Sequence, residues 1–110
     1  MIRAEMLRSR GRLVGFHCVG HANFDEPGKD IVCSAVSALT TAIADGIVEV
    51  VKVQADVSMD ESHGSHLILP ADTGGEELDK AELLLKTLQQ GLRAIEQEYP
   101  KNLKVCIKEV

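Results

Sequence analysis

The sequence predicts an α/β (α+β) two-layer sandwich: a mixed, largely antiparallel sheet of about five strands backed by two helices, in the order β-β-α-β-β-α-β. Three observations lead there. Apolar and polar residues alternate in three short stretches, two longer stretches are helical in pattern, and two further stretches return from turns to pair with their neighbours as hairpins. All 110 residues are expected to form a single domain, 1–110.

The elements follow in order. Ile2, Ala4 and Met6 alternate with Arg3, Glu5 and Arg8, the pattern of a half-buried strand. Ser9-Arg10-Gly11-Arg12 turns the chain, and Leu13 to Val19 returns as a second strand. From Gly20 to Lys29 apolar periodicity stops and Asn23, Asp25, Glu26, Pro27 and Gly28 crowd together, which marks an exposed loop with Gly20 and Gly28 as its hinges. Its charge and glycine content predict a lid that is mobile when empty. Asp30 is placed to cap a helix running to about Val51, apolar on most faces. That helix is rich in β-branched residues, so tertiary packing has to hold it. Val53, Ala55, Val57 and Met59 alternate with Gln54, Asp56 and Ser58 as a third strand, and Ser65 to Leu69 is a fourth, halted by Pro70. Ala81, Leu84, Leu88, Leu92, Ile95 and Tyr99 then form the apolar stripe of a second helix that Pro100 ends. Leu103, Val105 and Ile107 close the chain as a fifth strand.

Composition narrows the function. The chain is 45% hydrophobic and 26% charged, but with no Trp, two Phe and one Tyr its core must come from Val, Ile, Leu and Ala. A chain this short buries roughly 60–70% of its unfolded surface, so pairing with a second copy would add stability. Twelve basic against 17 acidic side chains leave a net charge of −5 and provide neither the basic stripe nor the stacking platform of a nucleic-acid surface. A basic polypeptide partner would suit that charge, which equally serves solubility. Cys18, Cys33 and Cys106 form no disulfide framework and fit reduced thiols in the cytoplasm. The charged first residues do not read as a signal peptide, and the apolar runs read as shorter than the ~20 residues of a bilayer span, so no membrane role is expected.

The chemistry concentrates in Gly20-His21-Ala22 and Gly28-Lys29-Asp30-Ile31-Val32-Cys33. The first turn of a helix offers unpaired N–H groups and partial positive charge, which favour a thiolate at Cys33. An imidazole delivered by His21 could take and return its proton, and N–H groups such as that of Ser34 could receive an oxyanion. Asp30 serves either as the helix cap or as a group orienting His21. Ser37, four residues after Cys33, either lines the site or bonds back to the Cys33 carbonyl. Against this stands the reading of Cys33 as an inert core thiol and His21 as a structural residue, in a non-enzymatic scaffolding protein. A metal site built from His17, Cys18, His21 and Cys33 matches no standard zinc spacing, and His17 and Cys18 point to opposite faces of a strand. His63 and His66 read as surface residues, and Cys18 and Cys106 as packing thiols.

Gly20-His21-Ala22, Gly28 and Asp30-Ile31-Val32-Cys33-Ser34-Ala35-Val36-Ser37 resemble the signature of the bacterial ribosomal-processing cysteine protease (Prp) family. Length and element order match along the whole chain. The resemblance implies that Cys33 is the nucleophile and His21 its base, with no metal or organic cofactor. It further implies a homodimer that removes a short N-terminal extension from a large-subunit ribosomal protein. The alternative is a ribosome-associated protein without activity in which Cys33 is structural.

Overall fold

The computed structural model describes residues 1–26, 29–60 and 64–110. Five strands and two helices form in the expected order: β1 (Ile2–Ser9), β2 (Arg12–Val19), α1 (Ile31–Asp45), β3 (Asp56–Asp60), β4 (Gly64–Ile68), α2 (Gly75–Glu98) and β5 (Leu103–Glu109). The sheet order is β3-β4-β2-β1-β5, with every pair antiparallel except β1 and β5. A parallel neighbour needs a long crossover, and here the chain between β1 and β5 supplies both helices. The mixed sheet of the sequence reading is therefore the observed one.

Helix α2 lies on β2, β1 and β5, and α1 packs beside α2. Strand alternation sets the interior: Ala4, Met6, Phe16, Leu67 and Leu103 are fully buried under the helices. The register opposes Met6 to Phe16, and Phe16 to Leu67, so one continuous layer runs through the central strands. The other sheet face has no helix over it. There Glu5, His17 and His66 lie in one cross-strand row with Cys106. The buried stripe of α2 is Ala81, Leu85, Leu88 and Leu92, and the expected Leu84, Ile95 and Tyr99 pack against the core beside it, so the expected face is the one that docks.

Two elements depart from the sequence reading. The first helix ends its α-geometry at Asp45 and continues as π-helix over Gly46–Val50. Val51 then donates to the Gly46 carbonyl and Val53 to the Ile47 carbonyl, so Val53 is buried in the exit from the helix and not in a strand. The third strand accordingly starts at Asp56, and all of its residues are exposed, because β3 is a sheet edge with nothing packed on Val57 or Met59. The combined helical segment Ile31–Val50 also has the length and apolar composition of a membrane span, contrary to the expectation that no run would reach it. Val32, Val36, Thr40, Ile43, Ala44 and Ile47 take part of it into the interior, while Ile31 and Val50 face outward.

A buried acid ties the far end of the fold. Glu82 of α2 accepts from the Leu13 peptide N–H at 2.8 Å and from Arg12 Nε at 2.7 Å, while Arg12 also reaches Asp79 at 2.6 Å. This clamp docks α2 on the start of β2.

Candidate active site

The site forms where β2 ends, α1 begins and the β3–β4 hairpin comes together. Val19 closes β2, and Gly20 turns the chain at φ +93°. A side chain there would meet the Met1 carbonyl at 2.5 Å, so only glycine lets the strand exit pass this close to the start of β1. Gly20 thus aims His21 outward. His21 is exposed, Ala22 is buried and Asn23 takes a left-handed conformation at φ +56°, which asparagine tolerates.

Asp30 organises the next step. It is buried, with extended backbone at the N-cap of α1, and its Oδ1 accepts from the N–H groups of Val32 and Cys33, both at 3.0 Å. Its Oδ2 accepts from the N–H of Phe24 at 3.0 Å and of Asp25 at 3.3 Å. Burial works against ionisation, but four N–H donors outweigh it and hold the carboxyl below the ordinary carboxylate range. Both oxygens are therefore spent on backbone, and Asp30 is cap and loop anchor. No bond from it to His21 exists among the described residues. Within the segment expected to form the lid, Asp30 anchors the Phe24 and Asp25 peptide groups. Phe24 is also stacked edge-on against Tyr99, with centroids 5.2 Å apart. Gly28 lies outside the described residues.

Cys33 is half-buried in the first turn of α1, and its sulfur accepts the Ala22 peptide N–H at 3.3 Å. His21 and Cys33 line one cleft of about 700 Å³, together with Gly20, Asp30, Ser34 and Ser37. The hairpin contributes Met59, Asp60, Gly64 and Ser65 to the same walls. Cys33, Ser34 and Ser37 also border a shallower depression of about 630 Å³ that continues along α1 over Ala38, Thr41 and Ala42. The thiol sits on the divide between two troughs, where an extended chain could lie across it.

Every sequence-predicted site residue faces this cleft, though not each in its expected role. The Ser34 N–H donates to the Asp30 carbonyl at 3.1 Å and the Cys33 N–H to Asp30 Oδ1, so neither is free to receive an oxyanion. What Ser34 retains toward the cleft is its exposed hydroxyl. The back-bonding residue of α1 is Thr40, which donates to the Val36 carbonyl at 3.0 Å, whereas the Ser37 hydroxyl is exposed on the site wall.

The other candidates sit elsewhere or differ in character. His17 is on the open sheet face, 3.4 Å from Glu5 and edge-on to His66, which is half-buried there and not a free surface residue. His63 lies outside the described residues. Cys18 points into the core, where burial, and then the charge of Glu5, push its thiol up to about 12. Among the described residues, no three His, Cys, Asp or Glu side chains converge as a metal site would require. Sequence reasoning missed Asn102, whose side-chain amide donates to the Ala22 carbonyl at 2.9 Å. Its only sequence signal was an asparagine in the turn after Pro100.

Known proteins resemble this chain in sequence and in fold. A family model described as "Cysteine protease Prp" matches residues 1–104. The ribosomal processing cysteine protease Prp of Bacillus subtilis (strain 168) is 31% identical over 107 residues, 96% of each chain. Its counterpart in Staphylococcus aureus (strain Mu50) is 30% identical over 102 residues, 93% of each chain. The crystal structure of an essential ribosomal processing protease Prp from S. aureus, in complex with a covalently linked product peptide, superposes with a TM-score of 0.86 at 29% identity. It covers 98% of this chain and 100% of that one. A second S. aureus structure, with a substrate peptide, gives 0.81 at 26% identity and the same coverage. With residues 1–104 matched by the family model and relatives 30–31% identical over nearly their whole length, the chain belongs to the Prp family of cysteine proteases.

Proposed function

We propose that this chain is an endopeptidase that removes an N-terminal extension from a large-subunit ribosomal protein, using Cys33 as nucleophile and His21 as base and then acid. The observation that carries the reading is the Cys33 sulfur at the opening turn of α1, receiving the Ala22 N–H in a cleft that His21 also lines. The substrate class rests on the related ribosomal processing proteases and on the peptides bound in their crystal structures.

The chemistry follows from the elements. His21, as base, takes the Cys33 thiol proton, and the positive end of α1 and the N–H aimed at sulfur stabilise the negative charge left there. The thiolate attacks the scissile carbonyl carbon, and the charge that develops on its oxygen lies in the field of the helix terminus. His21, as imidazolium, gives its proton to the departing amine, leaving a thioester on Cys33. It next takes a proton from the water that hydrolyses the thioester. No direct hydrogen bond joins His21 to Cys33 among the described residues, so the proton relay is completed when a peptide fills the cleft. No cofactor is required by these steps.

Incubation with the extended ribosomal protein, followed by mass measurement, tests the reading. The wild type is expected to release the extension, Cys33→Ala to release none, and His21→Ala to slow release by at least about a hundredfold. Cleavage by Cys33→Ala at the wild-type rate would end the assignment of Cys33 as nucleophile, and no release by the wild type would favour the scaffolding alternative.

We further infer a homodimer acting in the cytoplasm without binding nucleic acid or membrane. Ile31, Val50, Val57 and Met59 leave apolar surface on α1, the π-helical turn and the edge strand. A second copy would cover it.

A further inference from the structure

Ala22 connects the two reactive side chains: it follows His21 directly, and its N–H is the one that reaches the Cys33 sulfur. Only 1% of it is exposed, so water does not compete for that bond. The loop around it has no regular structure to set its peptide planes. What sets them is the Asn102 amide, 80 positions away in sequence, donating to the Ala22 carbonyl at 2.9 Å. A carbonyl only accepts, so the amide nitrogen has to face it. Asn102 is itself held on both sides. Its N–H donates to the Tyr99 carbonyl at 3.0 Å, and its carbonyl accepts the Ile2 N–H at 2.9 Å. It is therefore fixed between the end of α2 and the start of β1.

We propose that Asn102 is a positioning residue of the peptidase, holding the Ala22 backbone so that its N–H is aimed at the Cys33 sulfur and His21 is presented to the same cleft. The inference rests on the roles given above to Cys33 and His21. Released from Asn102, Ala22 can rotate its N–H away from the sulfur, and the stabilisation of the anionic thiolate by that donor is lost.

Asn102→Asp keeps the shape and replaces the donor with a carboxylate that repels the Ala22 carbonyl. Its kcat on a peptide spanning the cleavage site is expected to fall about tenfold, the size of a lost hydrogen bond to a charged group, with KM changed by less than about twofold. Alkylation of Cys33 by iodoacetamide at neutral pH should slow by a similar factor, and its pH–rate profile should move to higher pH. Lys101→Ala, one residue away and exposed, should leave both readouts unchanged. Wild-type kcat and an unmoved alkylation profile in folded Asn102→Asp would overturn the proposal, as would lost thermal stability with no change in either. If circular dichroism shows that this variant does not fold, the wild type decides by NMR. The Asn102 side-chain amide resonances should shift when Cys33 is carboxamidomethylated, and unmoved resonances would refute the role. Cleavage by Cys33→Ala would instead defeat the Cys33 reading, so the two failures are told apart.

Discussion

Asp30 shows how much a single buried carboxylate can organise. One oxygen starts α1 and the other holds Phe24 and Asp25. Because its folded-state value is lowered, its contribution to stability is complete above the ordinary value of about 3.9 and is lost as pH falls through the lower folded value. Acid titration followed by circular dichroism should therefore show wild type losing stability below about pH 4. An asparagine in its place would keep an acceptor for the cap but turn an amide toward the Phe24 and Asp25 donors. Asp30→Asn should therefore flatten that pH dependence and lower kcat/KM roughly tenfold or more. Cys18 provides the contrast. Burial first, and then Glu5, push it up to about 12, so it stays a thiol at neutral pH. Peptide mapping after brief iodoacetamide treatment should find Cys33 modified at least about a hundredfold faster than Cys18. Equal labelling would contradict the contrast.

At the scale of elements, period-two alternation marked β1, β3 and β5, and hairpin returns marked β2 and β4; alternation is legible where one sheet face is covered by helices and the other is not. It misjudged β3, where apolar residues alternate but lie on an edge with no layer above them. The π-helical turn was not legible either, since Gly46–Val50 continues the apolar run of α1 without a break in pattern. Asp30, Cys33 and His21 could be found from local spacing and from the family likeness. Asn102 could not, because its role exists only once β5 lies beside β1. Glu82 escaped for the same reason: on a helical wheel it is one more charge, and only docking of α2 on β2 buries it against Leu13 and Arg12. Burial opposes its ionisation, but the Leu13 N–H and then Arg12 lower it overall. Glu82→Ala strands the Leu13 N–H in the interior and should cost about 1–3 kcal/mol, read as a lower urea midpoint with an unchanged slope.

For the molecule as a whole, one helix layer covers one sheet face, and Ile31, Val50, Val57 and Met59 stay exposed on α1, the π-helical turn and β3. If a second copy covers them, light scattering should give twice the chain mass for wild type, and Met59→Glu with Val50→Glu should give a single chain. A wild-type protein that runs as one chain, or that sediments with lipid vesicles through Ile31–Val50, would rule out this pairing.

The parallel pairing of β1 with β5 carries a consequence for timing. During synthesis β1 emerges before both helices and its neighbour on that side only after them, so the peptide carrying Ala22 lacks its Asn102 brace until residue 102 has left the exit tunnel. A ribosome-arrested chain ending at Tyr99 should accordingly alkylate slowly at Cys33, whereas the released protein reacts fast. The order of manufacture would then act as a safety catch, arming this peptidase only once β5 is free to fold.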